Sequence, residues 1–147
     1  MLTRRRTLLG ALTMSAATAA ATLLSAGPAA AEYKGYGGII ELCPRGDFCV
    51  SDDYNGYSGN VWGWYGSDRD WWLNDGGASG PNNRDNSWYN HGNADYYDHV
   101  IVYKYGNGGS GAPSTPTICL PRDDFVNGLN EPGAAHQGSA HIWTHTC

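Results

Sequence analysis

Apolar residues in this chain alternate with polar ones over short runs and do not recur at helical spacing. From Glu32 onward no stretch carries apolar side chains at i, i+3, i+4 and i+7 through three turns, and glycine or asparagine interrupts every few residues. The pattern predicts strands at 38–42, 48–51, 60–65, 87–90, 99–105, 117–120 and 140–146. Within 99–105, Ile101, Tyr103 and Tyr105 share one face and Val100, Val102 and Lys104 the other. Two largely apolar faces suit a central strand. Short strands with frequent turn signals define an all-β chain with few or no helices, folded as a sandwich or Greek-key barrel. The stretch 106–117, rich in Gly, Ser and Pro and without periodicity, reads as a long loop or a seam between two halves.

A different pattern fills 1–31. Arg4, Arg5 and Arg6 precede an apolar run over 8–24, which gives way to Ala29-Ala30-Ala31. Basic, then apolar, then small is the order of a removable export signal. The segment Thr3-Arg4-Arg5-Arg6-Thr7-Leu8-Leu9 also resembles a twin-arginine signal, used for export after folding. Thr13, Ser15, Thr18 and Thr22 interrupt the run and argue against an uncleaved anchor. The expectation is a secreted, extracellular chain starting at Glu32, a single domain over 32–147 that acts as a monomer. Removing 1–31 takes away three of nine basic residues and none of fourteen acidic ones, leaving a net charge of about −8. Such a surface excludes nucleic-acid and anionic-membrane partners, which require cationic patches.

Cys43, Cys49, Cys119 and Cys147 all fall in the exported part, and an even count in an oxidising compartment reads as two disulfides. Of three pairings, the one favoured joins Cys43 to Cys49, where Cys-Pro-Arg-Gly-Asp-Phe-Cys can turn back on itself, and Cys119 to Cys147, tying the terminal strand to the body. A zinc site would want Cys-x2-Cys spacing, which is absent. All 18 aromatic residues also lie after residue 31, and because Leu, Ile and Val are scarce the rings must supply much of the core.

For catalysis the chain lacks His-Glu-x-x-His, Gly-x-Ser-x-Gly and a phosphate-cradling glycine loop. The carboxylate pairs Asp52/Asp53 and Asp123/Asp124 are adjacent and, on a strand, would point to opposite faces. The chain is therefore read as a non-enzyme that needs no cofactor. His141 and His145 would share one strand face, but no further ligand closes a metal shell around them. Arg45-Gly46-Asp47 has the form of an integrin-binding tripeptide and is equally a good turn. Tyr57, Trp62, Trp64, Trp71 and Trp72 are dense enough to form a platform for polysaccharide, with Trp62 and Trp64 on one strand face; core packing is the competing and favoured use of these rings.

The two halves echo one another: Phe48-Cys-Val-Ser-Asp-Asp-Tyr-Asn-Gly-Tyr-Ser-Gly59 against Val102-Tyr-Lys-Tyr-Gly-Asn-Gly-Gly109, each an apolar strand entering an aromatic, glycine-rich corner. This resembles the Tyr-x4-Tyr-x-Gly corner of βγ-crystallin Greek keys, with Ser51 where the first aromatic is usual and the second corner shortened. Asn82-Asn-Arg-Asp-Asn-Ser-Trp-Tyr-Asn90 resembles the Asn-Asp-x-x-Ser-Ser calcium loop of that fold, with Asn86 replacing the first Ser or Thr. The resemblance implies calcium bound weakly by oxygens of Asn82, Asn83, Asp85 and Ser87; an Asx-rich turn closed by its own side chains is the alternative. Ala135-His-Gln-Gly-Ser-Ala-His-Ile-Trp143 holds the matching place near the C-terminus without the acidic and amide ligands.

With the export signal, Cys-Pro-x-Gly-x-x-Cys and the terminal Ser139-x-His141-x-Trp143, these features resemble the secreted actinobacterial peptidase inhibitors related to the Streptomyces metalloproteinase inhibitor, over 41–147. The resemblance implies a βγ-crystallin-like sandwich of two Greek-key motifs that presents a rigid loop to an extracellular metalloprotease. No segment matches the inhibitory loop residue by residue; 43–49 and 106–117 are the physical candidates. A carbohydrate or cell-wall binding module is the alternative function, and an antifungal, killer-toxin-like protein of the same fold a third.

Overall fold

The computed structural model describes residues 33–107 and 112–147. The expected export segment 1–31, its junction at Glu32 and four residues of the 106–117 loop lie outside the described residues. Eight described strands form two antiparallel sheets. One runs in the order β1 (Tyr33–Gly37), β3 (Gly59–Trp64), β2 (Phe48–Ser51), β4 (Ser87–Asn90), β7 (Phe125–Asn127). The other is β6 (Ser114–Leu120), β5 (His99–Tyr105), β8 (Ala140–Thr144). Among the described residues, helical structure is confined to two four-residue helices, α1 (Ile39–Leu42) and α2 (Trp71–Asn74), and a 3-10 turn at Gly77–Ser79. The chain is an all-β sandwich.

Two predicted elements differ. Residues 38–42 do not extend as a strand; the strand precedes them as β1, and 39–42 coil into α1. The pairing gives the reason. β1 and β2 flank β3 on opposite sides, so the link between them must cross the end of β3 rather than run along it. One helical turn makes that crossing and buries Ile39. The short β7, not predicted, exists through its register with β4, Trp88 opposite Val126. β5 is the central strand of its sheet, as its two apolar faces required.

The two halves are built alike. Val50 on β2 is flanked by Trp62 and Trp88; Val102 on β5 is flanked by Ile118 and His141. The third extended piece of each half crosses to the other sheet: Asp68 bridges His141 of β8, and β7 pairs with β4. Two Greek keys thus exchange a segment, and neither sheet is complete without the other half. Between them lies the core of Phe48, Trp62, Trp64, Trp71, Trp88, Val50, Val100, Val102 and Leu120, each at most 1% exposed. At roughly 200 Å² of ring surface each, the four tryptophans contribute up to about 5 kcal/mol apiece at ~25 cal/mol per Å². Cys43 pairs with Cys49 and Cys119 with Cys147, so the second bridge ties the chain end to β6.

Candidate functional site

The loop read as a calcium site packs against its counterpart from the second half. Asn83 N donates to the Gly138 carbonyl at 2.7 Å and His136 N donates to the Asp85 carbonyl at 2.8 Å, a reciprocal pair across the approximate twofold. Asn83 and His136 both sit at left-handed φ, 54° and 58°, residue types that tolerate it. Asp85 is fully buried, and its carboxylate accepts from Trp88 Nε1 and Gly138 N, each at 2.8 Å. Burial pushes this carboxyl up to about 7, against the lowering effect of the hydrogen bonds it accepts. Gly138 is required here, because a Cβ would enter the Asp85 carboxylate and Trp71. Asn82 and Asn83 open instead onto a surface pocket beside α2 and β5, while Ser87 is buried on β4. Among the described residues no three or more His, Cys, Asp or Glu side chains cluster as a metal group.

His141 and His145 do not converge on one ion position. His141 sits in a box of Phe48, Trp64 and Trp71, with ring centroids 4.8 to 5.9 Å away. Its Nδ1 accepts from Trp71 Nε1 at 3.0 Å, so the proton lies on Nε2, which donates to the Gly66 carbonyl at 2.9 Å. Burial lowers its pKa to about 4, against the raising effect of the Gly66 carbonyl and Asp68, so the imidazole is neutral. His145 stacks on Tyr96.

Core packing, the favoured use of these rings, holds for Trp62, Trp64 and Trp71, and only Tyr57 and Trp72 of that set are exposed. Asp47 of Arg45-Gly46-Asp47 is buried, which removes the carboxylate an integrin would need. The carboxylate pairs serve structure. Asp52 binds Arg84 at 2.7 Å and the Asn60 amide, Asp53 caps the turn at Tyr57 and Ser58, and Asp123 pairs with Arg45 and Arg122.

Of the two candidate contact loops, 43–49 exposes only Pro44 and Arg45. The end of 106–117 is different: Ser114, Thr115 and Pro116 are exposed on β6, which among the described residues pairs only with β5. Thr115 has φ 63°, the one β-branched residue in the left-handed region among the described residues. Ser114 lies opposite Tyr105, which with Trp72 and Leu73 makes an exposed apolar patch, joined by Lys104 around a shared pocket. Sequence reading could not find this patch, because it joins a helix, a strand end and an edge that meet only in the fold. No described helix is long and apolar enough to cross a membrane. Comparison with protein-family models, with curated proteins and with solved structures finds no match to this chain.

Proposed function

We propose that the chain is a surface-recognition domain of the βγ-crystallin type, a rigid Greek-key sandwich that acts by presenting a preformed edge to another macromolecule. More particularly, it is a secreted peptidase inhibitor of the class related to the Streptomyces metalloproteinase inhibitor, with an extracellular metalloprotease as its target. The segment exchange between two Greek keys supports the first step, and the two disulfides suit an oxidising compartment.

The observation that carries the second step is Thr115. A β-branched residue at φ 63° is strained, and such strain persists only where surrounding structure over-determines it, most often at binding or catalytic segments. Here it sits on an exposed edge between Pro113 and Pro116, four residues before a cysteine bridged to the chain end. A protease reads a substrate through an extended main chain laid along its cleft, and β6 offers an unpaired main-chain edge for that pairing. Proline and disulfide bracing reduce the ordering entropy lost on binding. Trp72, Leu73 and Tyr105 supply the apolar anchors beside it.

The test is titration of a thermolysin-type metalloprotease with the purified chain, following residual activity and cleavage of the chain itself. Stoichiometric loss of activity with the chain intact is expected. Full protease activity at molar excess, or rapid degradation between 112 and 117, refutes the reading.

A further inference from the structure

Between the turn at 65–69, the loop at 91–98 and β8 lies a surface groove of about 470 Å³, within the size range of small-ligand sites. Three rings line it: Tyr65, Tyr97 and Trp143. Tyr65 is 63% exposed and Tyr97 57%, in a domain that buries four of its tryptophans. Both rings are braced. Tyr97 meets Tyr96 edge to face at 4.9 Å, and Tyr96 stacks on His145 at 5.1 Å, two residues before the bridged Cys147. Tyr65 lies against Gly46, where a Cβ would come within 3.2 Å of its ring and 3.0 Å of Asn93 Nδ2; the backbone there has φ 102°, which glycine supplies. Trp143 is half-buried between groove and core, and its Nε1 has no hydrogen-bond partner among the described residues.

The polar lining is mixed: Ser67 Oγ is taken by Trp143 N, and the rest is largely open to a ligand. The exposed side chains of Arg69 and Asn93 make no hydrogen bond or ion pair among the described residues, and Asp95 accepts only from its neighbour Tyr96 N. One cation, one anion and one amide leave the groove close to neutral inside an acidic chain.

We propose that this groove binds a neutral oligosaccharide, its sugar rings stacked on Tyr65 and Tyr97 and its hydroxyls met by Arg69, Asn93 and Asp95. The C–H face of a pyranose is apolar and weakly positive, which suits the negative face of an aromatic ring. Hydroxyls around the ring edge each donate and accept, so they need both kinds of partner nearby. A purely apolar ligand would leave Arg69 and Asp95 desolvated without partners, and an anionic one would meet Asp95 in a chain already of negative charge. A peptide recognised through its main chain is disfavoured, because β5 takes one edge of β8, and on the other the N–H groups of His141 and Trp143 already donate to the Asp68 carbonyl and Ser67 Oγ. The groove shares no lining residue with the pocket beside Trp72 and Tyr105, so this assignment stands independently of protease inhibition.

The experiment titrates the purified chain with chitohexaose, cellohexaose, xylohexaose and maltohexaose, reading tryptophan fluorescence and calorimetric heat. At least one should bind saturably with a Kd below about 1 mM. Tyr65→Ala and Tyr97→Ala should each weaken that binding about tenfold or more, with near-ultraviolet circular dichroism showing the fold retained, while Tyr36→Ala on β1 leaves it unchanged. Absence of saturable binding by all four sugars overturns the assignment. So does sugar binding that survives both groove substitutions, or a groove that takes up peptides in place of sugars.

Discussion

Asp85 and His141 are both buried and bear opposite consequences for pH. The Asp85 carboxyl, raised by burial to about 7, favours the folded state most below its ordinary value of 3.8 and loses that contribution as pH rises toward 7. The His141 imidazole, lowered by burial to about 4, contributes fully above 6.5 and loses that contribution as pH falls toward 4. Between pH 4 and 6.5 the two contributions therefore run in opposite directions. Asp85→Asn removes one side of the balance. Its stability in urea should then rise with pH over that window more steeply than the parent chain's. The same geometry bears on calcium, because Asp85 already gives both oxygens to protein donors. Millimolar calcium should leave the Tm within about 1 °C of its value in chelator, since a ligand that does not bind the native state does not stabilise it; a rise of several degrees would show that the loop reopens around the ion.

At the scale of elements, the two bridges differ in what they close. Cys43–Cys49 closes a six-residue separation and Cys119–Cys147 one of 28. Replacing the first pair by serine should lower stability by about 2 kcal/mol and the second by about 3 to 4 kcal/mol, measured by denaturant titration. Loss of the second should also speed proteolysis at 114–116, because the bridge at Cys119 anchors the far end of the same strand. Thr115→Gly separates strain from fold. Glycine relieves the left-handed conformation, so stability should hold or rise by up to about 1 kcal/mol, while inhibition weakens if the strained main chain is what the protease reads. The strands at 48–51, 87–90 and 99–105 were legible to the residue, and 60–65, 117–120 and 140–146 fall on β3, the end of β6 and β8, because short apolar runs between turn residues mark strands that bury a pleated face. α1 and β7 were not, since one is forced by a crossing over β3 and the other by a partner 38 residues away, Trp88 for Val126.

For the whole molecule, segment exchange makes the halves mutually dependent. Asp68 reaches β8 from the first half, β7 reaches β4 from the second, and His141 locks the first crossing through Trp71 and Gly66. Unfolding should be a single transition, with far- and near-ultraviolet circular dichroism superimposing. His141→Ala opens a cavity and leaves Trp71 Nε1 unpaired, a loss on the order of 3 kcal/mol that should lower both signals together rather than melt one half.

The order of residues alone determined the all-β class, the pairing partners favoured for the cysteines, the acidic charge and the dependence on aromatic rings for a core. These follow from local periodicity and composition, which act within a few residues. It left open which rings are buried and which reach solvent. Trp62 and Trp64 have the alternation of an exposed platform and yet fill the sandwich, while Tyr65 and Tyr97 line a groove. That choice belongs to the tertiary structure, because a strand has two faces of identical period and only the arrival of the opposite sheet decides which of them loses its water.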